Sequence, residues 1–463
     1  MKFKLILLVS CLWANTLWAQ AEFPNTLSKA DKVYGLSKIW QEVNYNFVYI
    51  NEIDREKWNT YYKQLITEVQ HTPNDYDYYR LLAKFCAMLN DGHTNIYYPK
   101  SIQNALYTTS FGEYSFYVET IEDKAIISKI NESKKEEIPI GTEVLEVNGI
   151  PVHDYANDHV MPYISSSTDY VREEMAIFQL LKAPLGTRFT LLLKKPDGEM
   201  LELDVTHAEA KDDKMYPEWK NLDPFEFKWV NDETAYIALN SFMDAKLNEQ
   251  FIKTLPELRK AKQLIIDLRK NGGGRNNVAM EVLEYLTDDD ELPHAAYQSR
   301  LHIPYYKSSG RYLTAEDTMV SDPKVKEWRV RSFLSYHDNY WYSLPYSPMQ
   351  VDLAKSERLV MPTVILVGHG TASTSEDFLI AAESQDHIIR MGQESFGSTG
   401  QAIHFDLPGG GSFRVCSKKD TYPDGRIFVG VGIQPDIRVE PTLEDFMKGR
   451  DTILEAAIEY FNQ

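Results

Sequence analysis

The stretch that decides the fold is residues 363–376, which read Thr-Val-Ile-Leu-Val-Gly-His-Gly-Thr-Ala-Ser-Thr-Ser-Glu. An apolar run typical of a buried strand ends in a glycine-containing turn, and a helix is predicted to begin just beyond it. Ser373 falls at the start of that helix, where backbone N–H groups are unpaired and the dipole is positive. Because such groups stabilise a developing oxyanion, Ser373 is a candidate nucleophile. Alternatively, Ser373 and Glu376 form only a capping box.

A second apolar run enters a row of glycines at residues 264–274, which read Leu-Ile-Ile-Asp-Leu-Arg-Lys-Asn-Gly-Gly-Gly. Glycine lets backbone N–H groups approach a substrate closely, so this turn is a candidate binding element. A phosphate-binding loop is one alternative, but the Gly-Lys-Ser/Thr ending of such loops is missing. An ordinary strand-to-helix turn is the other.

From about residue 230 onward, strand-like runs alternate with helical patterns, which predicts crossover units on a mainly parallel sheet. The predicted strands are 235–239, 264–268, 363–367 and 387–391, and the predicted helices are 247–258, 277–286 and 376–383. The aromatic-rich stretch at about 295–350 breaks this alternation. We interpret it as an insertion that forms either a lid or a packed surface excursion.

Towards the N-terminus the pattern changes twice. Residues 27–92 carry apolar side chains at three- and four-residue spacings, which predicts helices ending at Asp91-Gly92-His93-Thr94. Residues 107–206 carry two pairs of short strands with a helix between the pairs, and the first pair flanks an Asn148-Gly149 turn. This second arrangement resembles a PDZ-like module.

These changes predict a multi-domain α/β chain with three folded regions. We expect a helical N-terminal domain at 22–105, a PDZ-like β-rich domain at 106–206, and an α/β catalytic domain at 207–463.

Residues 1–21 have the three parts of a signal peptide. Lys2 and Lys4 precede an apolar core, and Ala19-Gln20-Ala21 fits a cleavage site, which predicts export to the periplasm or the cell exterior. The apolar core is too short for a membrane anchor, although the residues ending at Cys11 also fit a lipoprotein cleavage box. No later segment is long and apolar enough to cross a membrane, so we expect no stable membrane insertion.

Composition excludes several other classes of function. The formal net charge of −19 argues against nucleic acid as a partner, because binding phosphates requires a basic surface. Besides Cys11, only Cys86 and Cys416 are present. Each lies in an apolar pattern typical of a buried thiol, and neither has the spacing of a metal site. Neither cysteine is therefore expected to bind a metal.

The order of these motifs resembles the tail-specific (C-terminal processing) serine peptidase family. A helical segment ends in Asp-Gly-His-Thr, and a PDZ-like module follows. Next come Asp-Leu-Arg-x-Asn-Gly-Gly-Gly at 267–274 and Ala-Ser-x-Ser-Glu at 372–376. A glycine-rich loop at 392–400 and Gly-Ile-Gln-Pro-Asp at 432–436 complete the resemblance.

The resemblance implies that Ser373 is the nucleophile. It also implies an oxyanion hole made by the N–H of Thr374 and that of one glycine in 272–274, for which we choose Gly273. Ser398 stands where the best-known branch of the family has its catalytic lysine, and no lysine occurs between Ser373 and Lys418.

The branch of the family that resembles the tricorn protease instead uses a histidine, which here corresponds to His93. A neutral imidazole is a good base near pH 7 without a large pKa shift. That branch has a serine directly before the histidine, whereas this chain has Gly92. Asp91 and Glu376 are the candidates for the group that orients His93. His369 and His404 are alternative bases.

We therefore expect a secreted serine endopeptidase that hydrolyses polypeptide substrates with Ser373 and His93. This interpretation implies no metal and no organic cofactor. The main alternative is a non-catalytic ligand- or peptide-binding protein that keeps the peptidase fold. An esterase with the same nucleophile is a third possibility.

Overall fold

The computed structural model describes residues 23–219 and 221–462. The predicted signal peptide and the alternative cleavage at Cys11 lie outside the described residues, so both stay predictions.

The N-terminal region is a group of helices packed on an aromatic core. The helices are α1 (Lys29–Asn46), α2 (Arg55–Glu68) and α3 (Asp75–Ala87), followed by strand β1 (Asn95–Tyr97). Each helix begins at a polar side chain that accepts a backbone hydrogen bond, as N-cap residues do. At the centre, the rings of Trp58 and Phe85 stack with centroids 4.4 Å apart. The predicted helical N-terminal region is confirmed, and His93 lies between α3 and β1.

The second region is an antiparallel sheet with two main helices. Its elements are α4 (Lys100–Gln103), β2 (Leu106–Tyr107), β3 (Ser110–Phe111), β4 (Tyr114–Ile121), β5 (Lys124–Asn131), β6 (Glu143–Val147), β7 (Ile150–Pro151), α5 (Val152–His159), α6 (Asp169–Phe178), β8 (Ala183–Pro184), β9 (Arg188–Lys194), β10 (Met200–Thr206) and β11 (Met215–Tyr216). The strand order is β10-β9-β6-β5-β4-β3, and β11 pairs with β5. Asn148 and Gly149 connect β6 to β7 with φ angles of 54° and 75°, the left-handed conformations that an Asn-Gly turn supplies.

The third region alternates strands with helices. Its elements are β12 (Phe225–Trp229), β13 (Thr234–Leu239), α7 (Lys246–Leu258), β14 (Gln263–Asp267), α8 (Asn276–Leu286), β15 (Glu291–Leu292), β16 (Ala296–Arg300), α9 (Pro304–Gly310), α10 (Pro323–Tyr336), β17 (Trp341–Ser343), β18 (Met349–Gln350), β19 (Thr363–Val367), α11 (Thr374–Ala382), β20 (Ile388–Gly392), β21 (Ala402–Asp406), β22 (Ser412–Cys416), β23 (Lys419–Thr421), β24 (Ile437–Arg438), α12 (Leu443–Met447) and α13 (Thr452–Tyr460). The central sheet has the order β12-β13-β14-β19-β20-β24, and every neighbouring pair except β12–β13 is parallel.

Both faces of this sheet are buried, which explains why its strands read as continuous apolar runs. Alternate residues of β13 and β14 pack against α7, α8 and α11 on one face, and the others pack towards α13 on the opposite face. The four predicted strands correspond to β13, β14, β19 and β20. The nucleophile candidate and the glycine row follow the carboxyl ends of the neighbouring strands β19 and β14, so the topology brings these two turns together.

The aromatic-rich insertion packs against the helical region. The Arg300 guanidinium donates hydrogen bonds to the backbone carbonyls of Asn44, Tyr45 and Phe47, at 3.0, 3.2 and 3.1 Å. Asp338 forms an ion pair with Arg55 at 3.0 Å. No residue of 295–350 lines the cleft that contains Ser373. Of the two interpretations, the structure therefore favours a packed surface excursion over a lid.

A strand pairing also joins the first region to the third. Strand β1 pairs antiparallel with β22, with Asn95 opposite Arg414, and β22 pairs with β21. The segment that carries His93 is thus held against the third region, next to the hairpin of β21 and β22. Cys86 and Cys416 are both buried free thiols, as their patterns predict. Within the described ranges, no helix combines the length and the apolarity needed to cross a membrane.

Candidate active site

Ser373 has an unusual backbone conformation, with φ of 56° and ψ of −122° at the first position before α11. An ordinary N-cap serine is extended, as Ser28 is with φ of −67° and ψ of 157°. A positive φ at a non-glycine residue costs about 1–3 kcal/mol and persists only where the surroundings enforce it. Here the Ser373 N–H lies 3.0 Å from a carboxylate oxygen of Glu376 and 3.2 Å from the carbonyl of Ser398. Ser373 lines a cleft of about 650 Å³ between the three regions.

Glu376 ties the turn of Ser373 to the glycine-rich loop. Its fully buried carboxylate accepts hydrogen bonds from the Ser395 hydroxyl at 2.5 Å and from the N–H groups of Gly397 and Ser398 at 2.8 and 3.2 Å, besides that of Ser373. Burial raises the pKa of Glu376 to about 7, against the opposing effect of these donors. Among the described residues, Glu376 makes no hydrogen bond to His93, so its contacts are those of a support for the loop.

The glycine row contacts the nucleophile turn directly. Gly273 has φ of 96°, and a Cβ there would lie 2.8 Å from Ser373 Cβ and 3.0 Å from Thr374 N, so only glycine fits. However, the Gly273 N–H donates to the side-chain oxygen of Asn271 at 2.9 Å, which occupies the donor that we chose for the oxyanion hole. Gly272 lines the cleft, and a Cβ there would meet nothing within 4 Å. Gly272 is therefore the more open of these two positions towards the cleft.

His93 lines the same cleft as Ser373, although the two residues are far apart in sequence. Its Nδ1 lies 2.8 Å from Ser398 Oγ. Burial lowers the pKa of His93, and together with the positive charges of Arg414 and Lys418 it brings the value to about 4. The imidazole is therefore neutral at pH 7, which is the state that a general base requires. This corrects our assumption that His93 keeps an ordinary pKa.

Asp91 does not contact the His93 ring, although it is two residues away. Its buried carboxylate accepts from the Thr94 hydroxyl at 2.5 Å and from the Ser167 hydroxyl at 3.4 Å. Burial raises the pKa of Asp91. Neither of the two predicted candidates for orienting His93, Asp91 or Glu376, is thus in direct contact with the ring.

The rival bases are otherwise engaged or exposed. His369 Nδ1 lies 2.7 Å from Glu174, and its Nε2 lies 3.7 Å from Glu394. Burial by itself would lower the pKa of His369, but these carboxylates raise it overall, which favours the imidazolium. His404 also lines the cleft and is exposed.

Lys418, the first lysine after Ser373, does not replace the missing catalytic lysine. Its ammonium group forms an ion pair with Asp420 at 3.2 Å and lies 4.0 Å from the ring centroid of Tyr297. Lys418 is not among the residues that line the cleft. Across residues 23–219 and 221–462, no cluster of three or more His, Cys, Asp or Glu side chains has a geometry that could hold a metal ion.

Comparison with known proteins agrees with this architecture. The sequence model of peptidase family S41 matches residues 233–439, which contain the central sheet, the glycine row and Ser373. A PDZ-domain model matches residues 114–230, immediately before it. Residues 233–439 form a domain of peptidase family S41. The predicted resemblance to tail-specific peptidases is therefore confirmed, and this S41 peptidase is a serine-type hydrolase.

Curated relatives and a solved structure match the chain over different lengths. A carboxyl-terminal-processing protease of Picosynechococcus sp. is 22% identical over 395 residues, which is 83% of this chain and 79% of the relative. A carboxy-terminal-processing protease of Bartonella bacilliformis is 35% identical over 95 residues, covering 20% of this chain and 21% of that protein. The structure of mature CPAF complexed with lactacystin superposes with a TM-score of 0.62, at 14% identity over 91% of this chain and 95% of CPAF.

These matches confirm the predicted fold class of a helical region, a PDZ domain and an α/β peptidase domain. Because the family and the relatives are peptidases, the alternative of a non-catalytic binding protein is not retained for this S41 peptidase. The boundaries at 22–105, 106–206 and 207–463 remain predictions.

Proposed function

We propose that this S41 peptidase is an endopeptidase in which Ser373 attacks the peptide carbonyl and His93 is the general base. The observation that carries the proposal is the conformation of Ser373, held at φ of 56° at the start of a buried helix. Backbone strain of this kind is concentrated at functional sites, where surrounding hydrogen bonds maintain it. A second support is that a neutral histidine, and no lysine, lines the same cleft.

The chemistry follows from these positions. Ser373 Oγ forms a bond to the carbonyl carbon while its proton passes to His93 Nε2. His93 then gives this proton to the leaving amine as the C–N bond breaks. A water molecule hydrolyses the acyl-enzyme, with His93 again taking the proton, and Ser373 is regenerated.

We further propose that the oxyanion is bound by the N–H groups of Thr374 and Gly272. Thr374 is the first residue of α11, where the N–H groups have no partner within the helix. Gly272 is preferred to Gly273 because the Gly273 N–H is already engaged by Asn271. Removing one oxyanion donor typically costs about 10²–10³ in kcat, so this pair contributes a large part of the rate.

The proposed substrate is a polypeptide. The relatives are named for carboxyl-terminal processing, so we extend the proposal to the carboxyl-terminal parts of polypeptide chains.

Labelling with a fluorophosphonate probe tests the assignment of the nucleophile. Such a probe phosphonylates an activated serine, so we expect a single adduct on the peptide that contains Ser373, located by mass spectrometry. Heat-unfolded protein serves as the control and should not react. An adduct on Ser375 or on Ser398, or no adduct with the folded protein, would contradict the proposal.

We also propose that the protein is exported, because residues 1–21 combine two lysines, an apolar core and a small-residue cleavage site. N-terminal sequencing of the native protein should give a chain that begins near Gln20 or Glu22. An intact Met1, or a lipid-modified Cys11, would be evidence against this form of export.

A further inference from the structure

His93 has a hydrogen-bond partner at Nδ1, but that partner is not a carboxylate. The partner is Ser398, whose side chain is fully buried and whose Oγ lies 2.8 Å from Nδ1. In a serine–histidine pair, the group at Nδ1 decides which ring nitrogen carries the proton. If His93 receives a proton at Nε2, Nδ1 must already carry one.

We propose that the hydroxyl groups of Ser398 and Ser167 position His93 for catalysis and connect its ring to the buried carboxyl group of Asp91. This inference rests on the proposed roles of Ser373 and His93. Ser398 contacts the ring, Ser167 contacts Ser398 with the two hydroxyl oxygens 3.1 Å apart, and Asp91 lies 3.4 Å beyond. Both serines are positioning residues, because neither lines the cleft.

The Ser167 hydroxyl connects the backbone beside His93 to Ser398. Its oxygen accepts from the N–H of Gly92 at 2.9 Å, and its hydrogen is directed to Ser398 Oγ at 3.1 Å and to a carboxyl oxygen of Asp91 at 3.4 Å. Ser398 Oγ has two lone pairs, so it can accept from Ser167 and also from Nδ1–H of His93, 2.8 Å away. With the proton on Nδ1, Nε2 keeps its lone pair for the proton of Ser373.

The glycine at position 92 is consistent with the placement of Ser398 beside His93. A Cβ at position 92 would lie 2.7 Å from Ser398 Oγ and 3.1 Å from Ser398 Cβ. The hydroxyl of Ser398 thus occupies the space that a side chain next to His93 would fill. The glycine at this position is explained by the serine that approaches from the loop at 395–398.

Ser167 comes from a different region of the chain, the segment before α6. Its neighbours fix this segment to the site. The Thr168 hydroxyl donates to the carbonyl of Phe396 at 3.2 Å, and Arg172 donates to the side chain of Asn90 at 2.8 Å and to the carbonyl of Ser166 at 3.0 Å. Since both ends of the segment are anchored, the hydroxyl of Ser167 is held at a defined place without reaching into the cleft.

Kinetics of single hydroxyl deletions test the proposal. Ser398→Ala and Ser167→Ala should each lower kcat by about 10- to 100-fold, the size expected when a buried polar group loses its partner, with little change in KM. Ser167→Thr, which keeps the hydroxyl, should recover most of the rate. The matched control is Ser166→Ala, because the Ser166 hydroxyl bonds only within its own loop, to the carbonyl and the N–H of Thr168.

A spectroscopic measurement separates positioning from a general loss of structure. In full-length protein labelled with ¹⁵N-histidine, the His93 signal, assigned by its absence in His93→Ala, should report a proton on Nδ1 near pH 7. In Ser398→Ala the ring should become a mixture of both tautomers, while the melting temperature stays close to that of Ser166→Ala. A proton on Nε2 in the unmodified protein would overturn the proposal.

The outcomes also distinguish this inference from the proposed function. If Ser373→Ala or His93→Ala turns over peptide normally, the proposed function fails. If those variants are inactive but Ser398→Ala and Ser167→Ala match the unmodified enzyme in kcat, only the positioning role fails. If Ser167→Ala does not fold, the Ser167→Thr rate and the tautomer in the unmodified enzyme still decide the question.

Discussion

Replacing Ser373 with alanine is expected to lower kcat for peptide hydrolysis by about four to six orders of magnitude, as when the nucleophile of a serine peptidase is removed. The fold should survive, because the backbone N–H and carbonyl of residue 373 make hydrogen bonds that do not depend on its side chain. A fluorogenic peptide assay measures the loss, and thermal unfolding checks the fold.

The capping alternative makes the opposite prediction for the same variant. An N-cap serine that becomes alanine costs about 1 kcal/mol of stability and leaves chemistry untouched. Ser28 provides the matched control, since its hydroxyl accepts from the N–H of Asp31 at 3.1 Å at the start of α1. Ser28→Ala should lose stability and retain turnover. Normal turnover by a well-folded Ser373→Ala would remove Ser373 from the mechanism.

His93→Ala is expected to lose activity almost as completely as Ser373→Ala, because the two residues act as a unit. For the unmodified enzyme, kcat/KM should stay level as the pH falls through 6 and 5 and should decrease only near pH 4. The reason is that burial lowers the pKa of His93 to about 4, so the base remains unprotonated well below the ordinary histidine range. A pH–rate profile, recorded with a peptide that is stable over this pH range, measures where kcat/KM decreases.

The two rival histidines supply the controls for this profile. His369→Ala and His404→Ala should keep the acid limb where it is, even if they alter substrate binding in the cleft. The base would be assigned to His404 if His404→Ala shifts the pH at which kcat/KM decreases, while a His93 variant with residual activity leaves that pH unchanged. A limb centred near 6.5 would show that His93 is not the titrating group or is more hydrated than its burial implies.

The lowered pKa of His93 also makes the folding stability depend on pH. The unfolded chain binds a proton on His93 below about pH 6.5, whereas the folded protein resists protonation until about pH 4. The contribution of His93 to stability is therefore fully present above pH 6.5 and is lost as the pH falls through 4.

The sequence predicts the central sheet well, because both faces of β13, β14, β19 and β20 are buried and their apolar runs are continuous. Motif order also places Ser373 and His93 in one cleft. The choice among the three glycines depended on a local contact. Asparagine side chains commonly bond the backbone two residues on, so Asn271 before Gly273 was a signal available in the sequence.

Ser167 could not be identified from the sequence. It lies in a run of serines with no motif. Its contact with Ser398, 231 residues away along the chain, arises because the segment before α6 packs against the loop at 395–398. Likewise, in the sequence Ser398 indicates only that the expected lysine is missing. Its contact with His93 is seen in the structure, where β1 is paired with β22.

The pairing of β1 with β22 also has a consequence for the order of synthesis. His93 is made early and Ser373 much later, and the strand that pairs beside His93, Ser412–Cys416, is made after both. A growing chain therefore contains both residues before it contains the strand that holds their segments together. On the proposed mechanism, we expect no hydrolysis until synthesis has passed residue 416 and β22 has paired with β1.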